Sequence, residues 1–167
     1  MLDPNTIPAY PTQRRETRMP ETTDNKARFR RTYEELLNQG ILDVAGELIA
    51  PDFINHEAPP GMDRGPESMR GLANMLRTAF PDLHFEIEGL VAEGDIVAGR
   101  LTMGGTHEGP LMGTPPTGRW MRQAHMHFVR FREGLAVEQW GVRDDLGMMQ
   151  QLGVIPGPGQ AGETSST

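Results

Sequence analysis

Cysteine is absent from the 167 residues, which excludes disulfide staples, thiolate metal ligands and a cysteine nucleophile. Positive charge is scarce as well. Sixteen Lys and Arg stand against 23 Asp and Glu, a net charge of −7, and no basic run exceeds two residues. That balance lacks the electrostatic footprint of a nucleic-acid binder, so the expected partners are small neutral molecules or other proteins. No apolar run approaches the roughly 18 residues that a membrane-spanning helix needs. The N-terminus has neither a basic start nor the apolar segment of a secretion signal. A cytoplasmic protein that touches no membrane is the expectation. Aromatic residues are few, at 6%, yet hydrophobic residues total 37%, enough for one domain with a true core.

Residues 1–20 carry four prolines and few side chains suited to burial, so they read as an arm, disordered or wrapped on a second subunit through Ile7 and Tyr10. A domain over 21–154 follows, and 155–167 reads as a disordered tail. Phe29, Tyr33, Leu36 and Leu37 share one helical stripe that Gly40 ends. Leu42 to Ile49 suggests a short second helix stopped near Pro51, and Phe53 to His56 a brief strand or turn. Pro66 opens a third helix with Met69, Leu72, Met75, Leu76 and Phe80 in register. From residue 83 the apolar period changes to two, and turns at Glu93-Gly94-Asp95 and Arg132-Glu133-Gly134 divide four long antiparallel strands. A terminal helical turn is expected over 145–152. Helices first and strands afterwards predict an α+β fold in which helices cover one face of a curved sheet and leave a pocket between the layers.

Glycine and proline are plentiful, 20 and 14, and they crowd into GTHEGPLMGTPPTGR, residues 105–119. A phosphate loop would need its glycines to run into a helix, whereas here a strand follows. The stretch therefore reads as a rigid crossing of the sheet rim, either purely structural or in contact with substrate. In the strand after it, Gln123, His125 and His127 fall two apart and share one face, a polar ladder where apolar residues would be expected. If that face is the pocket wall, a histidine can act as general base or acid, and the other groups can donate to a carbonyl or enolate oxygen. The same residues also read as hydrogen-bonded core or interface histidines. A His-x-His pair suits zinc, iron or nickel, but the third ligand is missing: Phe131 stands where metal-binding barrels often have Glu, and His56, Glu57 and His107 show no diagnostic spacing. No metal or other cofactor is assigned.

In the last strand, alternation puts Glu138, Trp140, Val142 and Asp144 on one face. Asp144 beyond a Trp/Val wall would serve as acid or base, and Asp144 or Asp145 equally well caps the final helix. If the Arg132–Gly134 turn is a regular three-residue hairpin, Phe131 faces Leu135 and His127 faces Gln139. Both histidines then lie opposite Asp144, unless a β-bulge intervenes.

Several motifs together resemble the SnoaL-like polyketide cyclase family of the NTF2-like superfamily. They are Phe53-x-x-His56, Gly105-Thr-His107-x-Gly109, Gly113-x-Pro-Pro-Thr-Gly118-Arg119, the strand from His127 to Arg130, and Glu138-x-Trp140-x-x-x-Asp144 followed by Leu-Gly and Gln-Leu-Gly. The resemblance implies a cone-shaped α+β barrel, a homodimer, and intramolecular aldol closure without metal or cofactor. It assigns the chemistry to Asp144 with His125 or His127. The substrate expected is small, apolar and carbonyl-containing, held by Gln123, Trp140, His56, Asn55, Phe53, Met121, Met112 and His107. The chain departs from typical members in its long arm and in Gln139, where a histidine often stands beside the tryptophan. The same cone also houses non-catalytic small-molecule binders, so that reading and a His-ligated metalloenzyme stand as alternatives.

Overall fold

The computed structural model describes residues 19–58 and 64–157. Helix α1 (Met19–Arg31) continues into one wider π-helical turn over Thr32–Asn38. The Thr32 hydroxyl donates back to the Arg28 carbonyl at 3.1 Å where the widening begins, a side-chain bond that competes with the helical ladder. Gly40, at φ 72°, stops the run. A 3-10 turn (Leu42–Val44) and the four-residue α2 (Ala45–Leu48) lead into strand β1 (Ile49–Asn55). The expected short second helix thus ends three residues earlier than Pro51 suggested. Proline is tolerated inside β1 because this strand lies at the sheet edge.

Helix α3 (Gly65–Ala79) carries Pro66 in its first turn. Four strands follow, β2 (His84–Glu93), β3 (Ile96–Thr106), β4 (Trp120–Arg132) and β5 (Leu135–Arg143), and then helix α4 (Asp145–Leu152). The sheet order is β1-β5-β4-β3-β2. The four long strands are antiparallel as expected, while β1 pairs parallel with β5 and makes five. Alternation along β4 is strict: Met121, Gln123, His125, His127, Val129 and Phe131 are buried, and Trp120, Arg122, Ala124, Met126 and Phe128 are exposed. The buried side packs against Phe29, Tyr33, Leu36 and Leu37 of the first helical segment and Met69, Ala73 and Phe80 around α3, which form the core. This is the mixed α+β, NTF2-like architecture, with helices on the inner face of a curved sheet. Among the described residues no helix is long and apolar enough to cross a membrane. The expected arm over 1–20 lies outside the described residues apart from the start of α1, and the expected tail does so from 158 onward.

Candidate active site

A cavity of about 350 Å³ opens between the π-helical turn that follows α1, helices α3 and α4, and the inner face of the sheet. Its greasy wall is built from Leu37, Leu72, Leu76, Phe80, Phe85 and six methionines that include Met103 and Met148. Thioether side chains are unbranched and polarisable, so such a wall adapts its shape to what it holds. The opposite wall is polar and comes from β4, β5 and the turn after β1.

Register explains which residues reach that wall. The β4–β5 turn contains two residues, Glu133 at φ 52° and Gly134 at φ 80°, the pair of positive values that a type I′ hairpin requires. The ladder then slips by one residue between Arg130 and Phe131. A turn one residue shorter than expected and a one-residue bulge cancel in parity. His127 therefore faces Gly141 and His125 faces Arg143, which leaves Gln139, Gly141 and Arg143 on the histidine side and Glu138, Trp140 and Val142 on the other. Gly141 is required there, because a Cβ at that position would overlap the Glu57 carboxylate and His127 Nδ1.

The polar groups close into a ring. Gln123 Nε2 donates to Asp145 Oδ1 at 2.8 Å, and Gln123 Oε1 lies 3.0 Å from His125 Nε2. His125 Nδ1 is 3.2 Å from His127 Nε2, and His127 Nδ1 is 3.1 Å from Glu57 Oε1. Gln139 Nε2 donates to the same Glu57 oxygen at 3.2 Å. Arg143 spans the gap between the two acids, with Nη1 3.3 Å from Glu57 Oε2 and Nε 3.3 Å from Asp145 Oδ1.

Donor and acceptor roles follow from the acidic ends. Asp145 accepts from the Gln123 amide, so the Gln123 carbonyl must receive the proton of His125 Nε2. A neutral His125 then offers a lone pair at Nδ1, which takes the proton of His127 Nε2. One further proton must lie between His127 Nδ1 and Glu57, since a carboxylate and a bare ring nitrogen would repel each other. Charges support this polarity. Burial, with the positive neighbours His127 and Arg143, pushes the His125 imidazole down to about 3, which keeps it neutral. Burial raises the Glu57 carboxyl, but the bonds from His127 and Gln139 and the nearby Arg143 outweigh it and hold the group below its ordinary range. Tyr33 lies tilted beside His127, 6.0 Å between ring centroids. Burial and the Glu57 charge raise its phenol, so it stays a proton donor.

The SnoaL-like polyketide cyclase family model matches residues 27–152. The chain belongs to that family. It is 32% identical over 123 residues to the aklanonic acid methyl ester cyclase DauD of Streptomyces sp. (strain C5), covering 71% of this chain and 76% of that protein. It is 30% identical over 118 residues to the nogalonic acid methyl ester cyclase of Streptomyces nogalater, covering 70% and 88%. The solved structure of IdmH from Streptomyces antibioticus superposes with a TM-score of 0.67 at 36% identity, covering 77% of this chain and 98% of that one.

In this SnoaL-like protein the cavity gathers Asn55, Met112, Gln123, His125 and His127 from the residues that the sequence singles out. The others stand elsewhere. Asp144 is the N-cap of α4, its Oδ1 accepting the Gly147 amide at 2.8 Å, and does not line the cavity. Trp140 and His56 stack on the outer face of the sheet, 5.0 Å between centroids, with Arg130 over the indole and His56 bonded to Glu138 at 2.9 Å. Phe53 and Met121 are wholly buried in the core beside the cavity. His107 is also buried: its Nδ1 receives the Thr117 amide and anchors the base of the rim loop. Of that loop, Leu111 and Met112 reach the cavity.

Four lining residues carry no signal of their own in the sequence. Asp145 is visible only as a cap candidate and Glu57 only as a stray acid beside His56. Gln139 stands out as a departure from the family pattern and as the residue facing His127 in a regular hairpin, and Arg143 not at all. Strand parity counted back from His127 through the hairpin would have selected Gln139 and Arg143 together.

Proposed function

We propose that the protein closes a carbon ring in a polyketide ester by intramolecular aldol addition, with Asp145 as the base and no metal or cofactor. One observation carries this reading. Asp145 lines the cavity with Oδ1 held by Gln123 and Arg143, while Oδ2 has no hydrogen-bond partner among the described residues. A carboxylate oriented on one oxygen and open on the other fits a base that takes a proton from carbon.

The steps balance without any redox change. Asp145 Oδ2 takes a proton from the carbon next to the ester carbonyl, and the C–H electron pair moves onto the carbonyl oxygen as an enolate. The enolate carbon then attacks a ketone carbon of the same molecule, one C–C bond forms, and the resulting alkoxide takes the proton back from Asp145. The product is an isomer of the substrate. His125 and His127 act as positioning residues in this scheme: their chain back to Glu57 fixes the orientation of the Gln123 amide and so of Asp145. The substrate in this reading is a flat polycyclic ester, which the adaptable methionine-rich wall would accommodate. The reading also takes in a homodimer formed through the outer face of the sheet and a cytoplasmic setting.

Incubation of the purified protein with aklanonic or nogalonic acid methyl ester tests the proposal, with the product followed as a species of unchanged mass and shifted absorbance. Conversion that survives dialysis against a chelator and disappears in Asp145→Asn is the expected result. Full turnover in Asp145→Asn would remove Asp145 from the chemistry, and activity restored only by added metal would remove the cofactor-free scheme.

A further inference from the structure

Aldol chemistry needs a group that receives the negative charge as it leaves the base. The polar ladder cannot supply it. The proton of His125 Nε2 is given to Gln123, that of His127 Nε2 to His125, and the remaining His127 proton to Glu57. The Tyr33 hydroxyl and the Asn55 amide remain as neutral donors on the cavity wall.

Arg143 is different in three respects. It is the sole arginine or lysine among the described cavity-lining residues, and its charge does not depend on a shared proton as that of His127 does. Its contacts to Glu57 and Asp145, both 3.3 Å, are longer than the roughly 2.7–2.9 Å of a well-made guanidinium–carboxylate bond, whereas Arg130 on the outer face reaches Glu138 at 2.7 Å. Finally, its Nη2 has no acceptor among the described residues, on a side chain about one-third exposed. The guanidinium is thus held in place between two acids but saturated by neither.

Resting on the assignment of Asp145 as base, we propose that Arg143 is the oxyanion holder of this site. It pairs with the Asp145 carboxylate at rest and passes to the enolate oxygen once Asp145 has accepted the proton. The negative charge moves from one oxygen to another beside the same cation, so the interaction with substrate strengthens only as the reaction proceeds. That is the condition for lowering the barrier rather than merely tightening binding. The proton passes from carbon to Asp145, the electron pair passes to the carbonyl oxygen, and Arg143 keeps all of its own protons.

Alizarin, a planar dihydroxyanthraquinone whose phenolate absorbs to the red of the neutral phenol, imitates the enolate and needs no turnover. In Asp145→Asn the neutral amide stands in for the protonated base and frees Arg143. This variant is expected to bind the phenolate about tenfold or more tightly than the unaltered protein, the scale of one hydrogen bond to a charged group. The gain should vanish in Asp145→Asn/Arg143→Met and return in part in Asp145→Asn/Arg143→Lys, with melting curves confirming that each variant is folded. Equal phenolate affinity in the protein and Asp145→Asn, or a gain that persists in the Met double variant, overturns the role of Arg143 and leaves Asp145 as base untouched. Failure of neutral alizarin to bind any of the four proteins overturns the polycyclic reading of the cavity and this inference with it.

Discussion

Asp144 and Asp145 are adjacent carboxylates with different partners. Strand β5 ends at Arg143, so alternation no longer decides where the next side chains go. Asp144 turns onto the amide of Gly147, while Asp145, the first residue of α4, points back to Gln123. The two are separable by substitution. Asp144→Ala removes a cap and should lower stability by about 1 kcal/mol while leaving turnover of the ester intact. Asp145→Asn should leave the melting temperature nearly unchanged and reduce kcat by about 10²–10⁴-fold, the usual weight of general acid–base catalysis. Steady-state rates beside melting curves decide between them. The sequence could name both acids but not distinguish them, because the choice depends on one backbone turn between strand and helix. The Gln-x-His-x-His ladder was legible, since a period of two needs only local information. Glu57 was not: it lies 70 residues from His127, and no local pattern brings them together.

At the level of elements, the hairpin between β4 and β5 sets the site. Its register makes Gly141 the residue opposite His127, in the space that Glu57 and His127 share. Gly141→Ala should drive the Glu57 carboxylate off the imidazole, leaving two buried polar groups without their partner, a loss of about 1–3 kcal/mol. A lower melting temperature is expected, with kcat reduced as the ladder loses its anchor. An alanine variant with full stability and full activity would mean that the Glu57–His127 contact is dispensable. Helices α1 and α3 were visible from their apolar stripes, and the four long strands from alternation. Strand β1 was seen only in its second half, because Pro51 reads as a stop to any element that needs its amide. Only the sheet order, which puts β1 at an edge, explains why the strand runs through it. The turn after β4 illustrates a different limit. The sequence left open whether the histidines and Asp144 share a face, because that depended on a bulge it could not locate. The turn is one residue shorter than a regular three-residue hairpin and a bulge follows, and the two offset each other in parity.

The whole molecule carries the consequences of a buried neutral histidine. His125 is held at about 3 when folded against an ordinary 6.5. Above 6.5 both folded and unfolded forms are neutral there, and the stability associated with the shift is complete. As pH falls from 6.5 toward 3 the unfolded chain takes up a proton that the folded one refuses, so stability drops by up to about 1.4 kcal/mol per pH unit from this group. Glu57, depressed when folded, acts in the same direction at lower pH, since its contribution is lost as pH passes down through its folded value. Chemical denaturation between pH 7 and 4 should give a steep acid limb, and His125→Gln should flatten it over the upper part of that range. An unchanged limb in the variant would place the acid sensitivity elsewhere.

The proposed homodimer would use the opposite side of the same sheet. Among the described residues helices cover only the inner face, and Trp120, Met126, Phe128 and Val142 are more than half exposed on the outer one. Large exposed apolar side chains gathered on one face are what the proposed interface would bury, and a sheet face meeting its own copy about a two-fold axis would close the assembly. Alternation separates this surface from the cavity: Phe128 follows His127 in β4 and points the other way. The double variant Met126→Asp/Phe128→Asp should therefore halve the mass measured by light scattering while preserving alizarin binding in the cavity. A monomeric mass already present in the unaltered protein would refute the dimer, and loss of alizarin binding on dissociation would mean that the cavity depends on the second subunit.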